Sequence, residues 1–278
     1  MSGLVRGTAR AAAVELTKLR AQRSFALVSL AILLGAKLLA LLEIRSRGAD
    51  ERLDDVALNG FHLAARSAGP GLFLWAVLMA VLAAQSLAGE AERGQLRMLL
   101  VRPVSRAAQY LGRLVALFAA TTAAVVVDLL LSLAVGGPTL GFSDVADVQL
   151  QGEAFSAASL RVDLLLASLR TDLALFATAA VALAVSAVAR QATTAIVAGL
   201  AVLAGGAGVA FVLGAPVDRF VFTTWIVRPF DVLERLTAGT SVYRAPGDAV
   251  LSVGVPLATA VVATLVGLAV FTRRDVSG

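Results

Sequence analysis

Residues 89–113 read GEAERGQLRMLLVRPVSRAAQYLGR, a charged stretch set directly between two long apolar runs. Five arginines (Arg93, Arg97, Arg102, Arg106, Arg113) against two acids (Glu90, Glu92) make it basic. Leu96, Leu99 and Leu100 recur at i, i+3, i+4, so a short helix here carries one apolar stripe. Pro103 biases Arg102 away from helical dihedrals and ends that helix, and Ser105 is placed to cap the next one. The expected local structure is a helix, a corner, and a second helix entering an apolar layer.

What flanks the stretch decides the fold class. The 278 residues are 59% hydrophobic and 15% charged, more apolar side chain than a soluble domain can hide. The chain reads as an all-α integral membrane protein. Six apolar runs reach the length of about 20 residues needed to cross a bilayer. They fall near 24–43, 70–89, 112–136, 171–189, 192–214 and 249–271. The fourth and fifth are parted by little more than Ala189-Arg190-Gln191, so they form a tight helical hairpin. Residues 1–23 carry Arg6, Arg10, Lys18, Arg20 and Arg23 around Val5, Val14, Leu16 and Leu19, the pattern of an interfacial amphipathic helix. The domain reading is therefore 1–23 as that helix and 24–278 as the membrane domain.

Basic residues set the expected orientation. The amino terminus, the 89–113 loop, Arg190 and Arg273-Arg274 place thirteen Lys and Arg in short segments on one side. The other side holds about ten, diluted over longer loops that also carry most of the acids. The positive-inside rule then puts both termini in the cytoplasm. The absence of cysteine excludes disulfides and thiolate metal sites, and a single histidine, His62, leaves no His-based metal or triad chemistry. The net charge of +5 follows from topology and does not indicate nucleic-acid binding.

Two charges fall inside apolar runs. Lys37 is 14 residues past Arg23 and Asp128 is 15 past Arg113, so both lie about 21–22 Å from the same boundary. Matched depth and opposite sign point to a pair, with Glu43 a competing partner for Lys37. A charge at that depth costs about 2.5–3.5 kcal/mol on insertion scales. A substrate-path role and a structural ion pair are both open. On the other side, Phe220, Phe222, Trp225 and Phe230 cluster around an expected break at Arg228-Pro229, which suits a re-entrant segment or an ordinary aromatic belt. Gly136-Gly137-Pro138 reads as a loop and Gly205-Gly206 as close helix packing.

Two readings also fit the 89–113 stretch: a juxtamembrane helix binding anionic membrane lipids, or a docking helix whose leucines fill a partner's groove. The run Gly89-Glu90-x-Glu92-Arg93-Gly94-x-Leu96-Arg97-x-Leu99-Leu100-x-Arg102-Pro103-Val104-Ser105-Arg106 resembles the loop after the second span of ABC type-2 exporter permeases. That family usually shows Glu-x-x-x-Gly-Thr, two or three leucines, Pro-Val-Ser-Arg, then Lys or Arg in the third helix. This chain departs at Gln95, where Thr is usual, and at Arg113, where Lys is commoner.

The resemblance implies six spans with a cytoplasmic coupling helix between the second and third. ATPase coupling then falls to Glu90, Glu92, Arg93, Gly94, Leu96, Arg97, Leu99, Leu100, Pro103 and Arg106. It implies a dimer with a second permease copy or homologue, and a separate cytoplasmic ABC ATPase that binds ATP and Mg. It also implies location in the bacterial inner membrane, and an outer gate region around Phe220, Trp225, Arg228 and Pro229. The chain has no G-x-x-x-x-G-K-[ST], so the expectation is a non-enzymatic subunit with no cofactor of its own. The alternative is an ATP-independent secondary transporter or membrane scaffold, which the lack of a clear internal repeat disfavours.

Overall fold

Long apolar segments in lipid must satisfy every backbone N–H and C=O internally, which leaves the helix as the economical solution. The computed structural model describes residues 2–50, 59–94, 104–146, 154–214, 217–238 and 247–273. The helices are α1 (Ser2–Ala21), α2 (Arg23–Asp50), α3 (Gly60–Glu92), α4 (Arg106–Leu140), α5 (Ala157–Val188), α6 (Ala192–Leu213), α7 (Thr224–Thr237) and α8 (Asp248–Arg273). A 3-10 turn spans Asp218–Phe220, and a two-residue antiparallel ladder pairs Val145–Ala146 with Ala154–Phe155 between α4 and α5. Six helices (α2 to α6 and α8) are long and apolar enough to cross a membrane. The end of the bundle that carries α1 is called proximal here, and the opposite end distal.

The spans start and stop where local chemistry allows. Asn59 Oδ1 accepts from the His62 N–H at 3.0 Å and begins α3. Ser105 Oγ accepts from the Ala108 N–H at 3.2 Å and begins α4, and Ser156 does the same for Ser159 in α5. Gly94 follows α3 at φ +69°, the left-handed conformation that closes a helix at low cost only for glycine. Gln22 separates α1 from α2.

Helices α3 and α5 form the centre. On α3, Leu72, Trp75, Met79, Ala83 and Leu87 repeat at three- and four-residue spacing and are all buried. On α5 the inner face is mostly alanine (Ala174, Ala177, Ala180, Ala184, Ala187), which lets backbones approach closely. Ser186 of α5 donates to the Ala84 carbonyl and accepts from the Leu87 and Ala88 N–H groups at 3.1 and 2.9 Å, a polar stitch between the two. The other helices wrap this pair, and α6 exposes most of its apolar surface, as a lipid-facing helix must. Against α4, α1 makes a contact of small residues on both sides, Gly7 and Ala11 facing Ala108 and Gly112. A Cβ on Gly112 would stand 2.4 Å from Ala11 Cβ, so only glycine permits this approach.

Two expectations are corrected. Gly136-Gly137-Pro138 is not a loop: α4 runs through it to Leu140. Gly136 serves close packing, since a Cβ there would lie 3.2 Å from Gly60 Cα, and Pro138 falls in the last turn, where the one hydrogen bond it deletes leaves only two residues of helix beyond it. Pro229 does not break the chain either; it lies inside α7, early enough to interrupt only the helix's first turns. Prolines also sit inside α3 (Pro70) and α8 (Pro256).

Candidate functional site

At the proximal end, the 89–113 stretch is described only at its flanks. Leu96, Arg97, Leu99, Leu100 and Pro103 lie outside the described residues. Both flanks are tied into the bundle. Glu90, in the last turn of α3, accepts from Lys18 of α1 at 2.8 Å and from the Arg113 guanidinium of α4. Glu15 of α1 takes the same two cations, with Lys18 at 2.9 Å and Arg113 Nε at 3.6 Å. One knot of two acids and two cations therefore joins α1, α3 and α4. Partial burial lowers the Lys18 pKa, but the hydrogen bonds and charges of Glu90 and Glu15 outweigh it and hold the ammonium above its ordinary value.

Glu92 accepts from the Ala192 N–H at 3.1 Å, which caps the start of α6, where Gln191 makes no side-chain cap bond. Arg93 Nε donates to the Gly89 carbonyl at 3.0 Å. Across the undescribed segment, Arg106 Nη1 donates to the Thr272 carbonyl at the end of α8 at 3.2 Å. A cavity of about 210 Å³ opens at this knot, lined by Glu15, Lys18, Gln85, Glu90, Arg93 and Arg113 among others. The i, i+3 spacing of Glu15 and Lys18 was visible in the sequence, but nothing in it announced that α1 folds back onto Glu90 and Arg113.

Inside the span region, Lys37 Nζ donates to Asp128 at 2.9 Å, with both side chains almost wholly shielded. Glu43 pairs instead with Arg66 of α3 at 2.8 Å, and Arg66 also reaches Glu234 of α7 at 3.0 Å. A second intramembrane acid escaped sequence reasoning. Asp172 of α5 is buried and accepts from Thr122 Oγ1 of α4 at 2.8 Å. In the sequence it sits two residues after Arg170, where it reads as the edge of a span.

At the distal end, Trp225 Nε1 donates to the Arg219 carbonyl at 3.0 Å, and Arg228 bridges Asp218 at 2.8 Å and Asp248 at 3.0 Å. The Arg228 guanidinium also lies over the Trp225 ring at 5.4 Å. Pro229 and Phe230 are buried beneath, whereas Phe220 is exposed. These contacts pin the 3-10 turn, α7 and the start of α8 together. Among the described residues no cluster of His, Cys, Asp or Glu could hold a metal ion.

Six apolar helices, a shielded ion pair between α2 and α4, and charge knots at both ends define a multi-pass membrane protein. Residues 12–208 match the family model described as ABC-2 family transporter protein, most of the chain from α1 into α6. The chain therefore belongs to the ABC-2 family of transporter membrane proteins, whose members are permeases and not the ATPase itself. No curated protein matches it.

Proposed function

We propose that this chain is the permease subunit of an ATP-driven exporter, coupled through residues 90–106 to a separate cytoplasmic ATPase that binds ATP and Mg. In this reading both termini face the cytoplasm of a bacterial inner membrane, and two permease copies, or this chain and a homologue, form the pathway. The observation that carries it is the anchoring of both flanks of the 95–103 segment. Glu90 ties the segment to α1 and α4, Glu92 to α6, and Arg106 to α8. A push on the segment is thereby delivered to five helices at once, a structural route for rocking spans between two states.

The geometry also refines the role of the two glutamates. Glu90 and Glu92 both bond within the chain, so in this reading their part in coupling is to transmit, and the leucine stripe with Arg93 and Arg97 is assigned to the partner contact. Copurification tests this: an ATPase expressed with the tagged wild-type chain should elute with it. Leu100→Asp should still insert but lose the ATPase, because it puts a charge into the apolar contact. Pro103→Ala should keep the ATPase and lower ATP-driven transport. If Leu100→Asp retains both assembly and transport, the segment is a lipid-contact helix. If wild type captures no ATPase, an ATP-independent transporter or scaffold takes the place of this reading. Orientation is tested separately, since the chain has no native cysteine. Ser277→Cys should resist labelling from outside intact cells.

A further inference from the structure

Asp172 lies within a span and is 7% exposed. Thr122 Oγ1 donates to its Oδ2 at 2.8 Å, and its Oδ1 has no hydrogen-bond partner among the described residues. Thr122 is 16 residues from Arg106 at the start of α4, and Asp172 is 16 from Val188 at the end of α5. At 1.5 Å per residue both sit about 24 Å from those helix ends; from the Arg113 boundary used above for Asp128, Thr122 is nine residues along α4, about 14 Å into a hydrocarbon layer about 30 Å thick.

A counter-charge is the ordinary way to hold such a carboxylate, and each neighbouring element can be checked for one. Arg170 is nearest in sequence, but two residues turn a helix by about 200°, and Arg170 lines a separate distal cavity of about 160 Å³ with Arg228 and Asp248. Helices α3, α4, α6, α7 and α8 pack against α5. The sequence of α6 contains no charge, and α8 carries only Asp248 and Arg273, one at each end. On α4, Arg113 is held by Glu15 and Glu90, Asp128 by Lys37, and Arg106 reaches Thr272. On α3, Glu90 and Glu92 belong to the proximal end; at the distal end Arg66 pairs with Glu43 and Glu234, and His62 meets Thr237. On α7, Arg228 is bridged by Asp218 and Asp248, Glu234 by Arg66, and Asp231 and Arg235 share its distal location. Among the described residues, none of these groups bonds to Asp172.

We propose that Asp172 is a proton-binding site inside the membrane, its carboxyl resting as the neutral acid against the Thr122 hydroxyl. An ionised carboxylate in hydrocarbon without a counter-charge is penalised far more than the acid, so taking up a proton is the available compensation. Asp128, two turns further along α4, solves the same problem with Lys37. The site borders the lipid-facing surface. Leu165 and Leu169 share its side of α5 and are each 59% exposed, and the Phe118–Phe176 rings meet edge-on at 5.1 Å one turn away. An apolar reagent dissolved in the bilayer reaches this seam, whereas a charged one does not.

The test uses that difference. A carboxylic acid adds across one C=N bond of a carbodiimide: its proton passes to a nitrogen and its oxygen bonds the central carbon. The O-acylisourea so formed rearranges by acyl shift from oxygen to nitrogen into a stable N-acylurea. The whole reagent is retained and nothing is oxidised. The full chain in liposomes is treated with dicyclohexylcarbodiimide or with a cationic, water-soluble carbodiimide, and the adducts are mapped by peptide mass. Asp172 should carry the apolar adduct, with about a hundredfold less from the cationic reagent, the exclusion expected for a charge in hydrocarbon. Asp128, held as an ion pair, should stay unmodified by both. No adduct at Asp172, or equal labelling by the two reagents, overturns the proposal. Asp172→Asn supplies an independent reading, because it mimics the neutral acid. Its melting temperature should stay within about 2 °C of wild type, while Asp128→Asn, which orphans Lys37, should lower it by more. A larger loss from Asp172→Asn would reveal an ionised partner and also overturn the proposal.

Discussion

The two ends of the bundle are each closed by an arginine shared between acids from two other helices, and the two knots differ in burial. Proximally, Arg113 is 4% exposed and joins Glu15 of α1 and Glu90 of α3. Distally, Arg66 is 38% exposed and joins Glu43 of α2 and Glu234 of α7. The topology is alike and the physics is not. A buried charge whose partner is removed has no water to turn to, so the proximal knot is costly to break. The distal one trades its ion pairs for hydration at little net cost. The proximal knot is therefore the harder of the two to break, and the distal one the easier.

Four substitutions test that contrast, from the largest effect down. Arg113→Ala removes the buried cation of the proximal knot and leaves Glu15 and Glu90 sharing Lys18 alone, so it should cost about 3 kcal/mol, the low end for breaking a buried pair, read as a lowered thermal transition of the purified protein and earlier proteolysis of α1. Lys37→Met strands Asp128 and should cost a similar or slightly smaller amount, about 3 kcal/mol. Adding Asp128→Leu should recover much of that loss, and a double-mutant cycle without coupling would count against the pair. Gly112→Val forces α1 off α4 and should cost about 1–3 kcal/mol, as overpacking does, with α1 again the first segment cut by protease. Arg66→Gln should change stability by less than about 1 kcal/mol. If it proves as damaging as Arg113→Ala, the two ends are equivalent and the contrast fails.

Much of the architecture was legible because a bilayer makes hydrophobic run length a strict signal. Each of the six apolar runs falls on a helix, although the helices extend well beyond them, as α3 does by starting at Gly60. The contact between Lys37 and Asp128 could be read because each charge stands alone in an apolar run, so depth is the only variable left. Asp172 could not, since Arg161, Asp163 and Arg170 precede it and make it look like part of a wet boundary. The proximal knot was hidden for a different reason: Lys18 and Glu90 are 72 residues apart, and only the small-residue crossing of α1 on α4 brings them together. Proline misled at Pro138 and Pro229, where rules drawn from water-exposed chain predict an interruption that packed neighbours remove.

The intrahelical prolines have a mechanical consequence. Among the described residues, those at Pro70, Pro138, Pro229 and Pro256 all lie in the distal half of the molecule. Each deletes one backbone hydrogen bond and lowers the bending stiffness of its rod at that level. Three spans are thus stiff shafts over their proximal lengths and carry a compliant joint near their distal ends. A small tilt imposed at the proximal end travels undiminished along the shafts, and the joints concentrate the resulting flexure at the opposite surface.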